Sequence, residues 1–189
     1  MKISGNAIRS GMVIEHKGRL WVAVKTQHTQ PGKGGAYLQV ELRDIRDGTK
    51  LNERFRSSED VERVRLDQRT YQYLYREDGL LTFMDTKTFD QVTINEALVG
   101  DAIVFLQDGT MVAIESYEGD PVGVTLPDTA VCTVTETESV IKGQTAAASY
   151  KPAILDNGVR ISVPPHIEIG NRVVVNTTDR TYVERARGE

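Results

Sequence analysis

The stretch QPGKGGAY, residues 30–37, places Lys33 among Gly32, Gly34 and Gly35, behind Pro31 and with no carboxylate beside it. Glycines leave the backbone free and put no side chain around the lysine, while proline restricts the chain leading into the turn. Such a residue is a cation held out on a bare tip. The pair Gly32-Lys33 matches the end of a phosphate-binding P-loop, but Gln27 stands where the earlier glycine belongs and Gly34 follows in place of Ser or Thr. A P-loop also leads into a helix, whereas a strand pattern follows here. A nucleophilic or Schiff-base lysine needs burial or a second cation to release its proton, and an exposed glycine loop supplies neither. From the residues alone, Lys33 stays open between an ordinary mobile surface lysine and a working cation.

Other candidates give no catalytic constellation. His16, His28 and His166 are far apart and lack metal-ligand spacing, and no Gly-x-Ser-x-Gly elbow occurs. Asp44 and Asp47 in RDIRDGT read as turn residues. The single cysteine, Cys132, cannot form an intrachain disulfide or a cysteine metal site by itself and reads as a small core residue. The expectation is therefore no enzyme, no metal and no bound cofactor.

The elements that must carry Lys33 are strands. Short β-rich runs such as GRLWVAVKTQ, AYLQVELRDI, LLTFMDT, DAIVFLQDGTMVAIES, TAVCTVTET, GVRISVP and NRVVVNTTDRTYVER alternate between Gly, Asp and Asn turns. The spacing of roughly ten residues and the lack of amphipathic crossovers predict an all-β chain of small barrels. Leu20, Val22 and Val24 alternate, as do Leu38, Val40 and Leu42, so TQHTQPGKGGA becomes the loop of an extended hairpin with Lys33 at its apex. SSEDVERV and TINEALVG are expected to be single helical turns. GLLTFMD…LVGDAIVF and GVRISVP…EIGNRVVV echo each other as pairs of Gly-led strands and hint at two related barrels after the first.

The 189 residues, 39% hydrophobic and 26% charged, suffice for one large or several small cores. Neither an apolar run of about 20 residues nor a signal-peptide core is present, so a cytoplasmic location without membrane contact is expected. The net charge of −4 divides unevenly at boundaries near residues 64 and 127. Residues 1–64 carry 12 Lys/Arg against 8 Asp/Glu, residues 65–127 carry 4 against 11, and residues 128–189 carry 7 against 8. A basic module joined to acidic ones would meet a polyanion in one orientation. Trp21 reads as barrel core or rim rather than a stacking residue. Tyr71, Tyr73 and Tyr75 share one face if their segment is a regular strand, and packing between domains is the favoured use of that face.

On these residues the sequence resembles the bacterial elongation factor P family. The resemblance is carried by PGKGGA, DQRTYQYLYREDGLLTFMDTKTFDQVTI, GDPVGVTLPDTAVCTVTETES and YKPAILDNGVRISVPPHIEIGNRVVVNTTDRTYVER. In the last run, Lys151, Ala153, Gly158, Val163, Pro164 and Gly170 fall at the family's spacing. The resemblance implies an L-shaped, three-barrel protein: an SH3-like (KOW-like) domain at 1–64, an OB-fold domain at 65–127 and a C-terminal OB-fold domain at 128–189. It implies a monomeric translation elongation factor that contacts both ribosomal subunits beside peptidyl-tRNA and relieves stalls at consecutive prolines. Lys33 would contact the tRNA CCA end, supported by Pro31, Gly32, Gly34 and Gly35, after lysyl-type extension by a lysine-modifying enzyme. Further tRNA contacts are implied at Tyr182 and Arg185. The chain departs from the family at KGQTAAASYKP, usually glycine-rich, so no mRNA contact is carried onto residues 143–150. It departs again at NTTDRTYVER, which lacks the usual glycine before the tyrosine. The alternative is a generic RNA-binding barrel protein using its basic first domain alone.

Overall fold

A computed structural model describes residues 1–140 and 149–188. Residues 143–148 of the altered stretch lie outside the described residues. The chain divides into two compact units, residues 1–69 with 114–124, and residues 70–113 with 125–189.

Six strands form the first sheet: β1 (Lys2–Ser4), β2 (Val13–His16), β3 (Arg19–Thr29), β4 (Tyr37–Asp44), β5 (Lys50–Arg56) and β6 (Asp60–Val64), in the order β1-β6-β2-β3-β4-β5. Its neighbouring strands run antiparallel. Alternation puts Leu38, Val40 and Leu42 of β4 wholly inside, with Ile14, Trp21, Ala23 and Phe55. Trp21 is core, and its indole Nε1 donates to the His16 carbonyl at 2.8 Å. The run SSEDVERV does not form the expected helical turn. After a tight turn at Glu59, Asp60–Val64 pairs with both β1 and β2 and buries Val61, so sheet pairing overrides the serine-led helix signal.

Two five-stranded sheets follow. The second holds β7 (Asp67–Glu77), β8 (Leu80–Asp85), β9 (Gln91–Asn95), β10 (Met111–Tyr117) and β11 (Asp120–Thr125), ordered β11-β10-β7-β8-β9. The third holds β12 (Thr129–Thr137), β13 (Lys151–Leu155), β14 (Arg160–Val163), β15 (Arg172–Asn176) and β16 (Tyr182–Arg185), ordered β14-β13-β12-β15-β16. Adding five to each strand number of one order gives the other, so the two sheets share a topology. The strand-level match suggested by the sequence echo is corrected. Gly79 leads the second strand of its sheet and Gly158 the third, while DAIVF is a 3₁₀ turn, Gly100–Phe105, not a strand. TINEALVG holds the expected helical turn, Glu96–Leu98, with the Asn95 side chain accepting from Ala97 N. Phe105 ends the longer turn inside the core of the third sheet, among Cys132, Val134, Leu155, Val173 and Val175. Burial there pushes the Cys132 thiol up to about 11.

The related devices are turns and bulges. Ala23, Tyr73 and Val134 each precede a β-bulge in the strand that begins the long pairing of its sheet. Each exchanges backbone bonds with a Gly-X pair whose glycine has positive φ: Gly11-Met12, Gly109-Thr110 and Gly170-Asn171, at 2.8–3.0 Å. At Gly170 (φ 89°) an added Cβ meets nothing within 4 Å, so the backbone conformation alone opposes a side chain. Gly170→Ala is therefore expected to lower stability by about 1–2 kcal/mol, the cost of left-handed backbone for an L residue, measured by urea unfolding followed by far-UV circular dichroism.

A second device also occurs three times. Asp44, Asp85 and Asn176 each end a strand and accept backbone N–H bonds from the residues two and three further on. The fourth residue on donates back to the strand-ending carbonyl and has positive φ: Gly48 at 75°, Phe89 at 64° and Arg180 at 58°. Asp44 is thus a turn residue, and Asp47 likewise accepts from Thr49 N at 2.9 Å.

Candidate functional site

The Lys33 loop is shorter than its sequence suggests, because pairing between β3 and β4 continues to Thr29↔Tyr37. Residues 30–36 form the loop, and all seven are exposed. Its base is anchored: Leu38, wholly buried, stands in register with Phe55, and the Arg54 guanidinium lies 4.9 Å above the Tyr37 ring. Its tip is open. A Cβ at Gly32 or Gly35 would meet nothing within 4 Å, and one at Gly34 only the Pro31 ring at 3.9 Å. Gly34 has φ of 121°, a conformation other residues avoid. Packing does not require these glycines, whereas an unhindered and deformable tip does. Among the described residues, no carboxylate pairs with Lys33.

The sheet beneath supplies the field. Register brings Lys25, Arg43, Lys50, Arg54 and Arg56 onto the solvent face of β3, β4 and β5, with Gln27, Gln39 and Asn52 between them. Glu41 is the sole carboxylate in those register rows. Glu53 points to the opposite face, where Lys17 Nζ at 2.5 Å holds its carboxyl below the usual range. Nearby, Arg19 is taken up by Asp44 at 2.6 Å and by Asp47, and its guanidinium lies 5.1 Å over Trp21. The face below the loop therefore has a cation excess that the internal pairs do not cancel. The charge split along the chain identified the basic segment but not its face. The signal was in β5, where Lys50, Asn52, Arg54 and Arg56 recur with the period of a strand.

Tyr182 and Arg185 belong to the other compact unit, on β16. A spacing of three would put them on opposite faces of a regular strand. The register shift at Val183 pairs Tyr182 with Val175 and Arg185 with Val173, so both share one face. Tyr182 packs its half-buried ring against the core and meets Tyr150 edge-on at 6.5 Å. Burial, then Tyr150, raises its phenol above the usual range. Arg185 is exposed. The expected shared face of Tyr71, Tyr73 and Tyr75 does not form. The bulge after Tyr73 puts Tyr73 in the core beside Phe83 at 5.6 Å and leaves Tyr75 half-exposed on the other face.

Among the described residues, no group of three or more His, Cys, Asp or Glu side chains is arranged to hold a metal, and no helix is long and apolar enough to cross a membrane. The features define an all-β, multi-barrel protein with a cationic first sheet crowned by a bare lysine. Residues 4–61 match the elongation factor P KOW-like domain, residues 66–124 the elongation factor P OB domain, and residues 130–185 the elongation factor P C-terminal domain. The chain is 60% identical over 186 residues to elongation factor P of Parvibaculum lavamentivorans, covering 98% of this chain and 100% of that one. It is 58% identical to elongation factor P of Brucella abortus (strain S19), with the same coverage. The chain belongs to the elongation factor P family, whose members are translation factors and not enzymes. In fold it also resembles a translation initiation factor 5A from Methanococcus jannaschii, at TM-score 0.55 and 22% identity, covering 67% of this chain and 92% of that one. The fold is a KOW-like (SH3-like) barrel followed by OB barrels, and the third sheet's strand order matches that of the second.

Proposed function

We propose that this translation factor binds the ribosome, across both subunits, next to peptidyl-tRNA and speeds peptide-bond formation at consecutive prolines. The observation that carries this reading is Lys33, unpaired among the described residues, on a seven-residue exposed loop that joins two strands of a sheet whose solvent face holds five cations and one carboxylate. Proline is a poor nucleophile in peptide transfer, and its rigid ring holds the nascent chain away from attack geometry. The remedy is alignment, which lowers a barrier by several kcal/mol without a protein group entering the chemistry. The cationic face grips tRNA phosphates, and Lys33 steadies the CCA end through backbone phosphates and sugars. Extension of Lys33 by an amine-bearing, lysyl-type group, added by a dedicated enzyme, gives more reach and a second cation. Pro31, Gly32, Gly34 and Gly35 keep that stalk thin. Tyr182 and Arg185 contribute a second tRNA contact. The protein acts as a cytoplasmic monomer with domains at 1–64, 65–127 and 128–189, and requires no cofactor beyond the modified lysine.

The test is a reconstituted translation system making Pro-Pro-Pro, with and without protein from its native source, alongside ribosome co-sedimentation at moderate salt. Acceleration together with ribosome binding supports the reading. Salt-sensitive binding to free RNA with no preference for ribosomes would point to a generic RNA-binding barrel. The loop gives a further expected outcome. Gly34→Val should cut the acceleration at least tenfold while the melting temperature stays within a few degrees of the parent, because the exposed tip, which touches no core residue, rearranges to a backbone valine can adopt and so misplaces Lys33. A melting loss comparable to a core substitution would refute that assignment.

A further inference from the structure

Three hairpin turns of the same geometry set a comparison within the molecule. Their left-handed position holds Gly48 in the first sheet, Phe89 in the second and Arg180 in the third. Glycine adopts that conformation freely, whereas a bulky side chain there is an outlier that something else must justify. Arg180 has its justification within the fold. Its guanidinium sits 6.0 Å over the Phe105 ring and donates to the Asp101 carbonyl at 3.4 Å. Phe89 lacks such contacts: it is 68% exposed, and among the described residues its ring meets no other ring and no cation. A single exposed aromatic is ordinary on a protein surface. An exposed aromatic kept at a strained position that glycine would fill without strain is not.

We propose that Phe89 is a docking anchor, the apolar plug of an interaction surface on the second sheet, and that it enters an apolar pocket on a basic protein surface at the ribosome. The proposal rests on the ribosome reading above. Charge selects the partner class. Residues 65–127 carry 4 Lys/Arg against 11 Asp/Glu, so this part of the chain repels the phosphates of RNA and suits a protein rich in Lys and Arg. Aromatic anchors in desolvated pockets dominate interface energies, and the acidic balance of residues 65–127 adds orientation and association rate. The turn fixes the backbone that carries the ring, because the Asp85 carboxylate holds the N–H groups of Lys87 and Thr88 and the Asp85 carbonyl holds that of Phe89.

The experiment uses the full-length protein, its Phe89→Gly and Phe89→Tyr variants, and a variant with photoreactive benzoylphenylalanine at position 89, all with purified ribosomes. Phe89→Gly should melt at or above the parent temperature, since the strain is released, yet bind ribosomes about tenfold or more weakly. Phe89→Tyr should keep the parent affinity, and the photoreactive variant should crosslink to a basic ribosomal protein. Equal binding by Phe89→Gly would overturn the anchor and leave the ribosome reading intact. Loss of melting temperature in Phe89→Gly would show the ring to be part of the fold and also overturn it. Crosslinking to RNA would overturn the partner class. Failure of the parent protein itself to bind would overturn the ribosome reading and this proposal together.

Discussion

Replacing Lys33 with alanine is expected to abolish the acceleration of Pro-Pro-Pro synthesis, a drop on the order of 100-fold toward the rate without factor, while the unfolding curve stays within about 0.5 kcal/mol of the parent. The two halves of this result have separate causes. Lys33 is exposed in a loop whose glycines touch nothing, so its removal breaks no packing and no ion pair among the described residues. Its proposed contribution exists only when tRNA is beside it, as alignment of the reacting ends, where each tenfold in rate corresponds to about 1.4 kcal/mol of barrier. Lys33→Arg separates the charge from the modification. Arginine keeps a cation on the tip but has no primary amine to extend, so activity near the alanine level would assign the effect to the added group. Full activity of Lys33→Ala would remove the stalk from the mechanism, whatever the ribosome binding.

The legible parts of this molecule are those where one residue type answers one local demand. Leu38, Val40 and Leu42 alternate because one face of β4 is core, and the strand could be read from them. Lys151, Ala153, Gly158, Val163 and Gly170, which carried much of the family resemblance, prove to be fold residues. Ala153 and Val163 are buried, Gly158 and Gly170 have positive φ, and buried Lys151 donates to the Glu138 carbonyl at 2.6 Å. What could not be read depended on bulges. A single extra residue after Tyr73 reverses the facing of Tyr75, and one at Val183 brings Tyr182 and Arg185 together. Neither has a sequence mark beyond its neighbours. The strand at Asp60–Val64 was hidden for a different reason: the pairing that selects it comes from β1 and β2, dozens of residues away. The Phe89 turn was hidden because nothing in DTKTFDQ marks a phenylalanine in left-handed backbone.

Replacing Gly5 with alanine should produce the largest stability loss from one methyl group, about 3 kcal/mol, with the urea midpoint of the first sheet falling accordingly. Gly5 is buried where the 3₁₀ turn Gly5–Ala7 crosses the end of β5, and its N–H donates to the Glu59 carbonyl at 2.7 Å. An added Cβ would lie 2.5 Å from the Arg56 carbonyl oxygen and 2.8 Å from the Phe55 Cβ. Neither neighbour can yield cheaply. One is backbone, and the other belongs to a side chain only 4% exposed in the same core as Leu38 and Trp21. Relief must come from the turn moving outward, which strains the Gly5–Glu59 bond and the pairing of β1 with β6, together with the Ser4 hydroxyl bond to the Ser57 carbonyl at 2.6 Å. The site differs from Gly170, where space is open and only backbone conformation resists, so Gly5→Ala should cost more than Gly170→Ala. Trp21 is the only tryptophan and is 3% exposed in the affected core, so its fluorescence follows the first sheet specifically. A midpoint shift for Gly5→Ala no larger than that of Gly170→Ala would mean that the turn over β5 is pliant. Because Leu38 at the base of the Lys33 loop pairs in register with Phe55, a loosened β5 should reach the tip, and Gly5→Ala should lose ribosome activity at temperatures where Trp21 is still buried.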